Sequence, residues 1–98
     1  MTAKKVKYVV VRTYSAGVHA GELVSRKGKE VVLKNARRIW YWKGAASLSE
    51  LAMYGVKCPD ECKFSVPVGE ITLTEAIEII ATTKDGEKNI RAVPKWRA

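Results

Sequence analysis

The sequence predicts an α+β domain in which a small antiparallel β-meander sheet carries one short, capped helix. Residues 5–43 concentrate β-branched, aromatic and basic side chains in runs that glycine-containing turns separate, a pattern typical of adjacent strands. The tetrapeptide Ser47-Leu48-Ser49-Glu50 is a helix start signal. A chain of 98 residues is expected to form a single domain, spanning residues 1–98, with a thin core.

The first predicted strand, KVKYVVVRTY at residues 5–14, has a continuous apolar centre, which favours a strand covered on both faces. Period two places Arg12 and Tyr14 on one face at the end of this strand. The segment Tyr-Ser-Ala-Gly that ends at Gly17 predicts a chain reversal, since glycine adopts positive φ without strain. The return strand is expected at residues 18–25.

A third strand is expected to begin at Glu30, after a hairpin turn at residues 26–29. The segment ARRIWYWKG, residues 36–44, then places cations beside aromatic rings. As a strand it sets Arg38, Trp40 and Trp42 on one face and Arg37, Ile39 and Tyr41 on the other. Both faces of this segment then carry a guanidinium group next to aromatic surface.

A helix over residues 47–54 is predicted by a capping box. Ser47 is expected to accept a hydrogen bond from the Glu50 amide, and the Glu50 side chain is expected to reach back to the Ser47 amide. Gly55 is a suitable residue to end this helix. Residues 57–69 are predicted to form a loop, because Pro59 and Pro67 interrupt regular structure.

Residues 70–83 fit two different periodicities. Their apolar positions suit one face of a helix, whereas the high content of isoleucine and threonine favours a strand in which Glu75 breaks the alternation. We predict a late, long strand over residues 70–83 that completes the sheet. A turn or short C-terminal helix is expected to follow over residues 84–93.

The formal net charge of +8 is divided unevenly along the chain. Residues 1–43 carry eleven lysines and arginines against two acids, while residues 44–98 carry seven against eight. The positive field therefore belongs to the sheet half, where it attracts anions such as nucleic acid, phosphates or acidic proteins. A lysine-rich surface that only keeps the protein in solution is the alternative.

The sequence contains no motif that supplies catalysis or a metal site. Cys58 and Cys62 stand with a single histidine, His19, so one chain does not provide the four ligands of a structural zinc site. A Walker loop, a dinucleotide fingerprint and a nucleophile beside a base are all lacking. We expect a binding protein without cofactor or metal, and not an enzyme. With no signal peptide and no apolar run of about 18 residues, we expect it in the cytoplasm.

Guanidinium groups bind phosphate oxygens through paired donors, and aromatic rings stack on bases. Phe64 and at least one tryptophan have an alternative place in the core, and His19 an alternative structural role. The candidate ligand-binding residues are Arg12, Arg37, Arg38 and Arg91 for phosphates, Tyr14, Trp40, Trp42 and Phe64 for base stacking, and His19.

Three segments carry a resemblance to a known family: RTYSAGVHAG at residues 12–21, ARRIWYWKGAASLSELAMYGV at 36–56 and LTEAIEII at 73–80. The chain resembles a widespread group of small bacteriophage proteins and, more narrowly, the Thoeris anti-defence proteins. The resemblance implies a sponge in the host cytoplasm that sequesters a cyclic ADP-ribose isomer or a cyclic oligonucleotide without turnover. It also implies ligand pockets that form in a homo-oligomer.

Three functions therefore stand as hypotheses. The preferred one is a phage counter-defence protein that captures a small phosphorylated nucleotide. The second is a basic nucleic-acid-binding protein or an inhibitor of a host nucleic-acid enzyme, and the third is a small virion assembly protein. Self-association is expected under all three, because a small sheet with open edges gains burial by pairing with a second copy.

Overall fold

The computed structural model describes residues 7–96. It contains a six-stranded antiparallel sheet and two α-helices, which confirms the α+β class with a short helix and late strands. In chain order the elements are β1 (Tyr8–Thr13), β2 (Val18–Lys27), β3 (Glu30–Tyr41), α1 (Leu48–Tyr54), a 3₁₀ turn (Pro59–Glu61), β4 (Lys63–Phe64), β5 (Val68–Leu73), β6 (Ala76–Ala81) and α2 (Lys84–Ala92).

The sheet is rolled, because its two last strands lie at opposite edges. The strand order is β4-β3-β2-β1-β6, with β5 also paired to β3, yet only residues 74–75 connect β5 to β6. The Tyr14 amide donates to the Glu75 carbonyl at 3.0 Å, and the Ala76 amide donates to the Lys29 carbonyl at 3.0 Å. These two hydrogen bonds tie the connection to the hairpin turns and hold the roll closed at that end.

Strand β1 is buried on both faces, as its continuous apolar run predicts. Tyr8 and Val10 face the helices, whereas Val9 and Val11 face the inside of the roll. The helix-side core comprises Tyr8, Val10, Ala20, Ile39, Leu51, Ala52, Val56, Cys62, Phe64, Ile90 and Val93. The inner core comprises Val9, Val11, Val31, Leu33, Ala36 and Leu73.

Helix α1 begins and ends where the sequence predicts, with one difference in its cap. The Ser47 hydroxyl accepts from the Glu50 amide at 3.2 Å, and Gly55 ends the helix at a φ of 79°. The Glu50 carboxylate accepts from the Ala46 amide at 3.1 Å and not from the Ser47 amide, so the reciprocal half of the capping box is displaced by one residue.

The predicted long strand over residues 70–83 is wrong as a single element. The strand character is correct, but β5 and β6 are separate strands that pair with β3 and β1 respectively. The break coincides with Glu75, because the chain must cross from one edge of the roll to the other there. In the described chain each of these strands has one neighbour in the ladder, so each leaves one edge unpaired.

Strand β3 runs over twelve residues and includes the segment ARRIWYWKG as far as Tyr41, so this segment continues the third strand. The predicted loop over residues 57–69 contains the 3₁₀ turn and β4 and runs into β5. Strand β4 forms because Phe64 is drawn into the helix-side core, where it pairs with Ile39.

Helix α2 packs directly against α1, and Gly86 lies against the backbone of Ala52. A Cβ atom at Gly86 would overlap the Ala52 carbonyl oxygen. This overlap outweighs the gain of about 1 kcal/mol in helix propensity, and we expect Gly86→Ala to lower the free energy of unfolding by about 1–2 kcal/mol. The measurement is urea unfolding followed by circular dichroism.

Gly69→Ala is the matched control for this prediction. A Cβ atom at Gly69 meets nothing within 4 Å, so its unfolding free energy should stay within about 0.5 kcal/mol of the parent value. Equal stability of the two variants would contradict close packing of α1 on α2.

Candidate functional site

A groove of about 270 Å³ opens beside β3, where the pairing of β3 passes from β5 to β4. The connection between β4 and β5 forms its outer wall. The groove is lined by His19, Ala36, Arg38, Trp40, Ser65, Val66, Val68 and Ile71.

Strand alternation and strand register bring the groove residues together. Arg38 and Trp40 follow Ala36 at every second position of β3, so they share the face that Ala36 presents to the inner core. His19 of β2 stands opposite Arg38 in the β2–β3 pairing. The groove is therefore an extension of the inner face of the roll.

The walls of the groove are apolar and its charge is positive. Trp40 is 59% exposed, and Val66 and Val68 are also exposed large apolar side chains. No acidic residue is among the residues that line the groove. An exposed guanidinium, that of Arg38, thus lies beside exposed apolar surface without a lining carboxylate to neutralise it.

His19 holds Arg38 in a defined orientation. The Arg38 Nε donates to His19 Nε2 at 3.2 Å, which requires a neutral imidazole with its proton on Nδ1. Burial of His19, which is 1% exposed, and then the charge of Arg38 lower the pKa of His19 to about 4. The ring is therefore neutral near pH 7, and its buried Nδ1 has no partner within residues 7–96.

Within residues 7–96, the two terminal amino groups of Arg38 have no hydrogen-bond or ion-pair partner. Among the described residues, its side chain makes one hydrogen bond, the one to His19 through Nε. The Ser65 hydroxyl does not bind the Arg38 guanidinium. It accepts from the Arg38 backbone amide at 2.9 Å and donates to the Val66 carbonyl at 3.0 Å.

Trp40 is exposed but braced. Its ring meets the Trp96 ring edge to face, with centroids 5.0 Å apart and planes at 78°. The Trp96 amide donates to the Phe64 carbonyl at 2.9 Å, which lays the C-terminal segment along β4. The Lys63 ammonium lies 5.2 Å from the centroid of the Trp96 ring. These contacts restrict the indole of Trp40 without covering it.

Residues 6–90 match a protein family described as a domain of unknown function (DUF6948). The chain belongs to this family. The matched range includes every residue that lines the groove, whereas Trp96 lies beyond it. No curated protein and no solved structure matches the chain. The DUF6948 match gives no support for a link to the Thoeris anti-defence proteins, which stays a prediction.

Arg37 of this DUF6948 domain points away from the groove and is 3% exposed. Its Nη1 donates to the carbonyls of Ile90 and Val93 at 2.9 and 2.8 Å. Its Nε donates to the Ser65 carbonyl at 2.9 Å, and its guanidinium lies 5.3 Å from the Phe64 ring centroid. The structure thus places this predicted phosphate ligand inside the protein, where it ties β3 to the end of α2.

The other predicted aromatic residues are placed apart from the groove. Phe64 is fully buried in the helix-side core. Trp42 is half-buried against the same core, since β3 ends at Tyr41 and the alternation ends with it. Tyr14 is exposed in the turn between β1 and β2.

Two further predicted phosphate ligands are held by carboxylates outside the groove. Arg12 pairs with Glu78 at 3.2 Å. Arg91 pairs with Glu22 at 3.0 Å and Glu87 at 2.8 Å, and its guanidinium lies 4.5 Å from the centroid of the Tyr8 ring. Of the predicted site residues, the groove brings together His19, Arg38 and Trp40.

The groove residues that the sequence did not reveal come mainly from residues 65–71. The sequence predicts a loop for the proline-containing segment, and it does not indicate that Val66 and Val68 are exposed and line the same groove as Trp40. The basic, aromatic ending PKW was a visible signal for Trp96, but its contact with Trp40 depends on the fold.

The described chain has neither a cluster of metal-ligating side chains nor a membrane-spanning helix. Within residues 7–96, no three His, Cys, Asp or Glu side chains group as a metal set. Cys58 and Cys62 are free thiols, and burial raises the pKa of Cys62. None of the helices in that range has the length and apolar character needed to cross a bilayer.

Proposed function

We propose that this protein binds a phosphate-bearing nucleotide in the groove and holds it without turnover. The observation that carries the proposal is that the exposed ring of Trp40, held by Trp96, lies in the same groove as the Arg38 guanidinium, whose terminal amino groups have no partner among residues 7–96. A guanidinium fork matches two phosphate oxygens, and an indole face stacks on a base. The groove therefore offers one place for each half of a nucleotide.

The size and chemistry of the groove favour a single nucleotide unit. Its volume of about 270 Å³ lies just below the usual range of ligand pockets, which is roughly 300–1,000 Å³. Val66 and Val68 supply apolar surface beside the indole. Because His19 orients Arg38 before a ligand arrives, less side-chain freedom is lost on binding.

The counter-defence role stays a proposal about the biological setting of this binding. Sequestration of a cyclic ADP-ribose isomer or a cyclic oligonucleotide would use the same pairing of phosphate with Arg38 and base with Trp40. The homo-oligomer expected from the sequence stays a prediction too, and the unpaired edges of β5 and β6 are where a second copy would pair.

Isothermal titration calorimetry tests the proposal with mononucleotides, cyclic ADP-ribose isomers and cyclic oligonucleotides. We expect at least one of them to bind with a micromolar or lower Kd. Arg38→Ala and Trp40→Ala should each weaken that binding by about 10- to 100-fold, equivalent to about 1.4–2.7 kcal/mol. A titration without heat for every ligand on the unmodified protein would overturn the proposal.

Two control variants separate the groove from general surface effects. Arg12→Ala removes the same charge at a site outside the groove, and Tyr54→Ala removes a ring that is 74% exposed on α1. Both should leave the Kd within about twofold. Equal losses for Arg12→Ala and Arg38→Ala would show that net charge, and not the groove, accounts for binding.

A further inference from the structure

We infer that the binding surface continues from the groove onto Trp96 and Lys63, so that the preferred ligand is a linear single-stranded oligonucleotide of at least two nucleotides. This inference rests on the proposed function, since the first nucleotide occupies the groove. Neither Trp96 nor Lys63 lines the groove, so they provide surface beyond the first nucleotide.

The groove and this added surface lie on one face of the sheet. Phe64 is buried in the helix-side core, so its neighbours Lys63 and Ser65 point to the opposite face. Ser65 lines the groove on that face. Lys63 therefore lies at the groove side of β4, and its ammonium lies over the Trp96 ring.

The added surface repeats the chemistry of the groove. Arg38 stands with Trp40, and Lys63 stands with Trp96. Within residues 7–96, none of the ion pairs engages Arg38, Lys63 or Lys95. Cations that have no acid partner and alternate with exposed rings match the repeating phosphates and bases of a single strand.

The geometry of the two indoles favours separated bases. Their centroids are 5.0 Å apart and their planes lie at 78°. Bases of a stacked strand follow each other at about 3.4 Å and are nearly parallel. Two neighbouring bases on Trp40 and Trp96 would have to be splayed, which a single strand permits and a paired duplex does not.

The test compares thymidine monophosphate, a four-residue oligothymidylate and a 12-base-pair duplex by fluorescence titration. The unmodified protein should bind the oligothymidylate at least tenfold more tightly than the mononucleotide, and the duplex more weakly than the oligothymidylate. Equal affinity for monophosphate and oligothymidylate, or preference for the duplex, would overturn the inference.

Trp96→Ala distinguishes a second base platform from a brace for Trp40. We expect it to weaken monophosphate binding about threefold, because Trp40 loses its contact with Trp96, and oligothymidylate binding about 30-fold, and we expect Trp96→Phe to restore most of both losses. For Lys63→Gln, the slope of the logarithm of the binding constant against the logarithm of salt concentration should become shallower by the amount of one phosphate contact, about 0.7. An equal loss for both ligands would show that Trp96 only braces Trp40.

The proposed function and this inference fail in different ways. If no mononucleotide, cyclic nucleotide or oligothymidylate binds, the proposed function fails and the inference fails with it. If a mononucleotide or cyclic nucleotide binds through Arg38 and Trp40 but added length brings no gain, the inference alone fails.

Discussion

Replacing Arg37 by alanine should lower the free energy of unfolding by about 3 kcal/mol or more, because each buried acceptor that loses its partner costs about 1–3 kcal/mol. The Arg37 guanidinium donates to three backbone carbonyls at 2.8–2.9 Å, those of Ser65, Ile90 and Val93. Alanine would remove the donor from the Ser65 and Val93 carbonyls and leave the Ile90 carbonyl with only the Val93 amide, which donates to it at 3.3 Å. It would also remove the cation that lies against the Phe64 ring.

The adjacent Arg38 provides the matched control for this prediction. Arg38→Ala removes the same side chain from the exposed face of the same strand and breaks one hydrogen bond, so it should cost no more than about 1 kcal/mol. Urea unfolding of both variants gives the comparison. Arg37→Lys should fall between them, because an ammonium cannot reach all three carbonyls as a planar fork does. Similar stabilities for Arg37→Ala and Arg38→Ala would contradict the buried role of Arg37.

The contrast between these two arginines shows what the sequence can and cannot predict. Alternation correctly places Arg37 and Arg38 on opposite faces of one strand. It does not reveal which face is buried, because that depends on where α2 and Phe64 pack. The sequence therefore predicts both side chains as phosphate ligands, and only tertiary contacts show that Arg37 is buried and Arg38 is exposed.

The fold could be predicted further than the site. Local signals were sufficient for the two-sided burial of β1 and the Ser47 cap, since each depends on a few consecutive residues. The contact of His19 with Arg38 depends on the register of β2 and β3, and that pairing contains two irregularities. Strand alternation alone does not predict which residues pair beyond such register shifts.

The break between β5 and β6 also depends on tertiary structure and not on local sequence. Glu75 interrupts the alternation in the sequence, but one polar residue is also compatible with an exposed position within a strand. The roll of the sheet decides the outcome, since β5 pairs with β3 and β6 pairs with β1. The connection between β4 and β5, which forms the outer wall of the groove, takes its position from this strand pairing. The sequence of residues 57–69 predicts only a loop and does not predict that position.

Acid should destabilise the folded protein through His19 before the carboxylates titrate. The pKa of His19 is lowered to about 4 in the folded protein, whereas a histidine in the unfolded chain titrates near 6.5. Above about pH 6.5 both states are neutral at this residue, and its stabilising contribution is complete. As the pH falls from about 6.5 to about 4, the unfolded chain takes up the proton first, and the free energy of unfolding falls by roughly 3 kcal/mol.

His19→Gln isolates this effect, because a glutamine oxygen can accept from Arg38 Nε but cannot take up a proton in this range. Urea unfolding at pH 7, 6, 5 and 4.5 should give a slope near 1.4 kcal/mol per pH unit for the parent protein below pH 6, and a much flatter one for the variant. The pKa values of Glu22 and Glu61 are also lowered, by hydrogen bonds first, but both residues are present in both proteins and cancel in the difference.

Since His19 is the only histidine in the chain, its imidazole proton resonances report its folded pKa without assignment. A folded pKa near 6.5, or parallel slopes for parent and variant, would contradict a buried neutral imidazole that accepts from Arg38. Protonation at Nε2 would also remove that acceptor and add a charge beside the guanidinium.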